Sequence, residues 1–187
     1  MSVSTLDPKS TLIVVDLQKG VLAHSCVHPV SKIVQNAVAL ANAFRDHKLP
    51  VVLVNVSGVA PGRTEQSLSK GPRATDWAEL TPELDQHAED YRVTKRTWDA
   101  FTNTGLDVYL KGKGVTQVVL AGVATSIGVE STARLAYALS CNVTLATDAM
   151  SDRSAEAHDN SVSYIFPRLG ETGTTQEIIR LVTATSV

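Results

Sequence analysis

The stretch Val118-Val-Leu-Ala-Gly-Val-Ala-Thr-Ser-Ile-Gly-Val-Glu-Ser-Thr-Ala-Arg134 decides the fold. Its apolar beginning predicts a buried strand, and the pattern that follows predicts a tight turn and a helix that begins near Gly128. A turn from a strand into a helix displays a side chain against backbone N–H groups, which makes it a natural place for a nucleophile. Gly128 occupies that place, so this elbow has no sulfur and no obvious replacement for it.

The rest of the chain repeats this alternation of short apolar runs and longer helical patterns. Runs such as Leu-Ile-Val-Val and Val-Val-Leu-Val lack polar alternation, as in strands that are buried on both faces of a parallel sheet. The alternation predicts a doubly wound α/β fold, a three-layer α/β/α sandwich with a mostly parallel sheet. We expect strands at residues 11–16, 51–56, 92–95, 117–121 and 142–147, with a weakly indicated sixth at 170–172.

Helical patterns fill the intervals between these strands. One helix is expected to begin at Thr81-Pro82-Glu83, and Thr174-Thr-Gln-Glu177 has the spacing of a capping box. The stretch 57–76 is rich in Gly, Pro, Ser and Thr and predicts a long loop, a kind of segment that is often functional. The other helices are expected at residues 30–48, 104–112, 127–139, 155–166 and 174–183.

Length and composition indicate a single domain over residues 1–187, because 43% of the residues are hydrophobic and can build one sizeable core. The net charge of −2 and the scattered Lys and Arg residues give no sign of a nucleic-acid or membrane partner. No apolar run approaches the roughly 20 residues that span a bilayer, and the first residues lack the regions of a signal peptide. Two cysteines make no disulfide framework, so we expect a cytoplasmic protein.

Two charged residues close apolar runs. Asp16 follows Leu-Ile-Val-Val, and Lys95 ends Tyr-Arg-Val-Thr-Lys. Ligands of doubly wound sheets bind beyond the carboxyl ends of the strands, which is also where the elbow at Gly128 lies. The sequence therefore predicts that these three segments meet at one edge of the sheet. In the alternative interpretation, Asp16 caps a loop and Lys95 is a surface residue.

Together the three segments resemble the isochorismatase-like hydrolases, also called cysteine hydrolases, over nearly the whole chain. The resemblance implies a Rossmann-like sheet of strand order 3-2-1-4-5-6 and an Asp–Lys–Cys triad, in which Asp16 and Lys95 are kept and Gly128 stands at the cysteine position. It also implies a cis peptide bond between Val123 and Ala124. Backbone N–H groups near Ala124 and Gly128 are then expected to hold an oxyanion.

The glycine bears on the reaction that the resemblance implies. Without a thiol, acyl-enzyme chemistry is not available by the usual route. Isochorismatases hydrolyse a vinyl ether, which needs no covalent intermediate, and some of them carry Gly at the cysteine position. We therefore expect hydrolysis of a small molecule of this type, with Asp16 as general acid and Lys95 as its electrostatic partner. The alternatives are a hydrolase of another small amide or ester that uses activated water, and a non-catalytic small-ligand binding protein.

Other residues are candidates for contacting the substrate. Arg63, Arg73 and Arg96 have the planar guanidinium that suits a carboxylate, although solvated loop arginines are the alternative interpretation. Asn55, at the end of the second strand, could orient a substrate by hydrogen bonding. Trp98 and Phe101 follow the lysine and could form a wall of the pocket, and ordinary packing explains them equally well.

No cofactor and no metal site are expected. The residues after the second strand lack the Asp and His of the nicotinamidase metal site, and the spacing of His24, Cys26 and His28 matches no usual zinc pattern. Cys26 could approach the site as a displaced nucleophile, but it lacks a helix N-terminus to activate it. Asp148 and Asp152 are interpreted as turn or helix-cap residues. The resemblance also implies a homodimer or homotetramer.

Overall fold

The computed structural model describes residues 3–65 and 73–185, and its centre is a six-stranded sheet. The strands are β1 Ser10–Val15, β2 Val51–Val56, β3 Tyr91–Lys95, β4 Gln117–Val123, β5 Asn142–Ser151 and β6 Glu171–Gly173. Their order across the sheet is β3-β2-β1-β4-β5-β6, and each neighbouring pair is parallel. The predicted doubly wound fold and its strand order are confirmed.

Helices cover both faces of this sheet. Within the described residues, none of them is both long enough and apolar enough to cross a membrane. A π-helical turn, Thr125–Val129, leads into the fourth helix, and a second one, Ser161–Ile165, joins the fifth to the sixth. The helices are α1 Lys19–Leu22, α2 Val30–Asp46, α3 Leu106–Gly112, α4 Glu130–Ala138, α5 Ala155–Asn160, α6 Phe166–Leu169 and α7 Thr175–Thr185.

The side chains of each central strand divide between two cores. Leu12 and Val14 of β1 pack on one face with α2 and α7. Ile13 and Val15 pack on the other face with α3, α4 and α6. Because β1 is fully buried on both faces, its apolar run has no polar alternation.

Several elements differ from the predicted ones. The helix expected from Thr81 is a single 3₁₀ turn, Pro82–Leu84, because Asp85 adopts a left-handed φ of 43° and ends it. Helix α1 was not predicted. The helical region from α5 ends at Leu169 rather than 166, because the chain stays helical through Pro167, which lies in the first turn of α6. Part of the predicted loop, residues 66–72, lies outside the described residues.

The capping box at the start of α7 is confirmed. The Thr174 N–H donates to Oε2 of Glu177 at 2.8 Å, and the Glu177 N–H donates to Oγ1 of Thr174 at 3.3 Å.

Strand β5 is longer than predicted, and the extra residues reach the elbow. It was expected to end at residue 147, but it runs to Ser151. The pairing of β4 with β5 shifts register between Leu120 and Gly122, so that Gly122 pairs with Met150. This irregularity takes up the additional residues of β5. As a result, Ser151 and Asp152 lie beside the turn that leaves β4.

Gly122 allows β1 and β4 to approach each other at the carboxyl edge. Its φ is 119°, and a Cβ atom added there would lie 2.0 Å from the carbonyl oxygen of Val15. Both the backbone conformation and the available space therefore require glycine. This close approach sets the distance between the end of β1 and the elbow.

We expect Gly122→Ala to lower the free energy of unfolding by about 3 kcal/mol or more, since the substitution combines a strained φ with overpacking against backbone. Urea denaturation of both proteins measures the difference. Gly112→Ala is the matched control, because a Cβ there meets nothing within 4 Å. Equal stability of the two variants would contradict the close approach.

Candidate active site

Asp16 and Lys95 form a buried ion pair at the carboxyl ends of β1 and β3. Nζ of Lys95 lies 2.7 Å from Oδ2 of Asp16. Lys95 is 2% exposed, and Asp16 is 6% exposed. Asp16 leaves β1 with a left-handed φ of 52°, and its N–H donates to the carbonyl oxygen of Val54. The pair therefore spans from β3 across β2 to β1.

The ammonium group of Lys95 has three protons, and each has an acceptor. Besides Asp16, it donates to the carbonyl oxygens of Thr97 at 3.2 Å and Trp98 at 3.0 Å. A lysine has no further donor to offer. Lys95 therefore supplies positive charge and holds the turn after β3, while its own protons are already engaged.

The carboxyl group of Asp16 is engaged on one side only. Oδ2 receives Lys95, whereas Oδ1 is buried and has no hydrogen-bond partner among the described residues. Burial raises the pKa of Asp16 to about 6, although the charge and the hydrogen bond of Lys95 act in the opposite direction. A carboxyl group with such a pKa can exchange a proton near neutral pH.

Gly128 lies directly against this carboxyl group. A Cβ atom added to it would be 3.3 Å from Oδ2 of Asp16 and 3.0 Å from Cγ1 of Val15. The structure therefore brings together the three residues that were predicted to meet: Asp16, Lys95 and Gly128. The contact with Val15 is tight, so the packing around position 128 suits a glycine.

A second connection, through Thr132, links the elbow to the turn that Lys95 holds. Oγ1 of Thr132 donates to the carbonyl oxygen of Gly128 at 2.7 Å and accepts the N–H of Ala100 at 3.1 Å. A chain of contacts therefore runs from Asp16 through Lys95 and the 97–100 turn to Thr132 and Gly128. Gly128 in turn lies against Asp16. Thr132 was not predicted; its position four residues after Gly128 permits this bond to the carbonyl of the preceding turn.

The elbow itself is a cis peptide bond followed by the π-helical turn. The bond between Val123 and Ala124 is cis, as the resemblance implied. Within the turn, the N–H groups of Ile127 and Val129 both donate to the carbonyl oxygen of Ala124, at 3.1 and 3.2 Å.

Comparison with known proteins shows which family this chain belongs to. The sequence profile of the isochorismatase domain matches residues 10–177. The chain belongs to the isochorismatase family. YwoC, an isochorismatase family protein of Bacillus subtilis, is 40% identical over 181 residues, which cover 93% of this chain and 94% of YwoC.

Two further comparisons extend this finding. A solved isochorismatase family protein from Burkholderia thailandensis has a TM-score of 0.93 and 38% identity, covering 97% of this chain and 100% of that chain. A protein named probable isochorismatase, from Pseudomonas chlororaphis, is 26% identical over 181 residues, which cover 94% of this chain and 87% of its own. The family is one of hydrolases, and its fold and strand order are those found here.

Two of the predicted substrate contacts have other partners within this isochorismatase-family fold. The Asn55 amide donates to the carbonyl oxygen of Ala78 at 2.7 Å and accepts the Thr94 hydroxyl at 2.8 Å. Asn55 alternates with Val54 along β2, so it lies on the sheet face opposite the core to which Val54 belongs. The guanidinium of Arg73 stacks over the ring of Trp77, with 4.2 Å between Cζ of Arg73 and the ring centroid.

The remaining predicted contacts differ in exposure. Trp98 is 61% exposed, and its carbonyl oxygen accepts a hydrogen bond from Lys95, so the residue lies at the surface in the turn that Lys95 binds. Phe101 is buried in the core between the sheet and α3, as expected for packing. Arg96 is exposed and lines a hollow of about 620 Å³ with Pro61 among its neighbours, and Arg63 is exposed in the loop after β2.

Cys26 packs at the edge of the core between the sheet and α2. Burial raises the pKa of its thiol, which makes it a weak nucleophile at neutral pH. Among the side chains that the structure describes, no three His, Cys, Asp or Glu residues come together as a metal site.

We expect Lys95→Met to lower the free energy of unfolding by about 3–5 kcal/mol at pH 8, because it leaves a buried carboxylate without its partner. Folding already raises the pKa of Asp16, so the protonated form is the one that burial favours. Without Lys95 both causes that lower the pKa of Asp16 are gone, so in the variant this pKa lies above about 6. The loss should therefore shrink as the pH falls toward about 6 and become level below it, where Asp16 is protonated in both proteins. Urea denaturation at pH 5 and pH 8 measures the difference.

Two variants control this experiment. Asp16→Asn combined with Lys95→Met removes both charges and should recover part of the lost stability. Lys111→Met breaks an exposed ion pair with Asp107 and should cost less than about 1 kcal/mol. A loss in Lys95→Met that is the same at both pH values would show that Asp16 does not titrate as assigned.

Proposed function

We propose that this protein hydrolyses a small vinyl ether of the isochorismate type without a covalent intermediate. Asp16 is the general acid, and Lys95 is its electrostatic partner. The observation that carries the proposal is a buried carboxyl group with one oxygen on Lys95, the other without a partner among the described residues, and a glycine against it.

The two oxygens of Asp16 support different tasks. Oδ2 is held by Lys95, so the carboxyl group has a fixed orientation. Oδ1 is free to carry the proton that the reaction needs. Because burial raises the pKa to about 6, the acid form is present in part near neutral pH and still gives up its proton readily.

Gly128 favours a reaction in which water, rather than a side chain, attacks. The elbow position that faces Asp16 has no nucleophilic atom. The Cys26 thiol, the sulfur in the loop before α2, has a raised pKa and is not activated. Thiol chemistry of the kind that the family's cysteine members use therefore lacks its central atom here.

The reaction uses Asp16 twice, first as an acid and then as a base. Asp16 gives its proton to the terminal carbon of the vinyl group, and the carbon that bears the ether oxygen becomes an oxocarbenium ion. Water adds to that carbon and returns a proton to Asp16, which regenerates the acid. The resulting hemiketal breaks its C–O bond to release pyruvate and the alcohol.

The N–H groups predicted to bind an anion, those of Ala124 and Gly128, would hold the carboxylate beside the vinyl group. Trp98, exposed next to the pair, offers an apolar surface to the ring of such a substrate. Arg63 and Arg96 are kept as proposed carboxylate contacts of the surrounding loops. A homodimer or homotetramer, a cytoplasmic location and the absence of a cofactor stay predictions.

An amide or ester hydrolase that activates water is the second candidate. In that mechanism Asp16 must be ionised, because it acts as a base toward water. The same raised pKa then has the opposite consequence for the pH dependence, so one profile separates the two candidates.

For the vinyl ether, we expect kcat/KM to be level below pH about 6 and to fall about tenfold per pH unit above it, because the protonated form of Asp16 is the active one. Asp16→Asn should lower kcat/KM by about 10²–10⁴-fold. Pyruvate release from isochorismate, coupled to lactate dehydrogenase, measures both.

Two other outcomes would reject the assignment of Asp16 as the general acid. Activity that rises through pH 6 would favour the activated-water mechanism. No turnover above that of Asp16→Asn, with a small ligand retained through purification, would favour a non-catalytic binding protein. The coupling enzyme is assayed alone with added pyruvate at each pH, so that its own pH dependence is removed.

A further inference from the structure

Asp152, which follows β5, is bound to the elbow as well as to the helix that it precedes. It is 4% exposed. Its Oδ2 accepts both the N–H of Ser126, at 2.7 Å, and the Ser126 hydroxyl, at 2.8 Å. Its Oδ1 accepts the N–H groups of Arg153 and Ser154 at the start of α5, at 2.7 and 3.4 Å. The interpretation of Asp152 as a helix cap therefore accounts for the bonds of Oδ1 but not for those of Oδ2.

Thr125, the residue before Ser126, is also bound by a side chain from the segment that follows β5. Oγ1 of Thr125 lies 2.9 Å from Nδ1 of His158, and both residues are buried. Burial, together with the neighbouring ring of His28, lowers the pKa of His158, so the imidazole is neutral and keeps this hydrogen bond at neutral pH. Two successive residues of the elbow are thus bound by side chains from residues 152–158.

The main chain of Asp152 reaches a third segment. Its carbonyl oxygen accepts the N–H of Val27, in the loop before α2, at 2.8 Å. One residue therefore connects the elbow, the start of α5 and the loop between α1 and α2. Gly128, two residues after Ser126, is the point of the elbow that contacts Asp16.

These bonds also determine which N–H groups of the elbow can bind a substrate. The N–H of Ser126 is taken by Asp152, and those of Ile127 and Val129 are taken by Ala124. An anion at the elbow therefore has to use other donors, and Ala124 and Gly128 are the pair predicted from the sequence. The orientation of that pair depends on how firmly the residues between them are held.

We propose that Asp152, assisted by His158, is a positioning residue: it fixes Thr125 and Ser126 so that Gly128 and the N–H groups beside it face Asp16. Asp152 does not touch the substrate. Its effect on turnover rests on the proposed function, whereas its effect on the elbow does not. An error of about 1 Å in the position of a reacting group costs on the order of 100-fold in rate.

The chain offers a matched control in Asp148. Oδ1 of Asp148 accepts the N–H and the hydroxyl of Thr175 at 2.7 and 2.8 Å. The chemistry is the same as at Ser126, with one carboxylate oxygen receiving the N–H and the hydroxyl of one residue. Thr175 begins α7, on the other side of the sheet from α4, so Asp148→Asn makes the same substitution away from the elbow. The amide oxygen in Asp148→Asn can still accept both bonds, whereas Asp152→Asn cannot keep the bonds of both oxygens.

The experiment compares Asp152→Asn, Ser126→Ala and Asp148→Asn with the unaltered protein. In Asp152→Asn we expect kcat for pyruvate release to fall about 10- to 100-fold with KM changed less than about threefold, since orientation and not binding is lost. Ser126→Ala keeps the N–H and loses only the hydroxyl, so its kcat should fall less than that of Asp152→Asn. Asp148→Asn should keep kcat within about twofold even if its stability falls as much as that of Asp152→Asn.

Hydrogen exchange measured by mass spectrometry gives a readout that does not need activity. Peptides that cover residues 122–129 should exchange at least about tenfold faster in Asp152→Asn than in Asp148→Asn. An inactive unaltered protein with this exchange pattern would reject the proposed function and keep the positioning role. Equal exchange in the two variants, or equal losses of kcat, would overturn the positioning role.

Discussion

The buried ion pair between Lys95 and Asp16 is the interaction on which the site depends. Neighbouring strands lie about 4.8 Å apart, so β1 and β3, with β2 between them, are separated by about 10 Å. Only a long cationic side chain covers that distance from within the core. Burying two charges is costly unless the remaining protons are bonded, and the carbonyl oxygens of Thr97 and Trp98 meet that condition.

The same pair explains why Asp16 is suited to proton transfer. A carboxylate with good hydrogen bonds on both oxygens would have a low pKa and would be a poor acid near neutral pH. Here Lys95 binds one oxygen, and burial acts on the whole group, so the pKa rises to about 6. Gly128 allows this carboxyl group to sit against the elbow. A glycine at position 128, where the resemblance implies a cysteine, is therefore compatible with an organised site.

Much of the fold could be predicted from the sequence because the strands are buried on both faces and read as uninterrupted apolar runs. The helix predicted from Thr81-Pro82-Glu83 was too long. Its predicted start was right, but Asp85 adopts a left-handed conformation and ends the helix after one turn. The length of β5 was missed because its register shift admits polar residues such as Asp148 into a strand. A shift of this kind depends on the neighbouring strand and leaves no local pattern.

The candidate site divides in a similar way. Asp16 and Lys95 could be found because a charge that ends an apolar run stands out, and the topology then places them at one edge. The contacts of Thr132 and Asp152 at the elbow could not be predicted, because they join residues 32 and 26 positions apart along the chain. Asn55 shows the converse: a polar residue at the end of a strand was predicted to face the substrate, but alternation places it on the opposite face.

The most direct test is an NMR titration of the Asp16 side-chain carboxyl carbon in the unaltered protein, assigned by its loss in Asp16→Asn. The central claim predicts a midpoint near pH 6, because burial outweighs the neighbouring ammonium group of Lys95. A midpoint near 3.9, the value of an exposed aspartate, would contradict the assignment of Asp16 as a general acid.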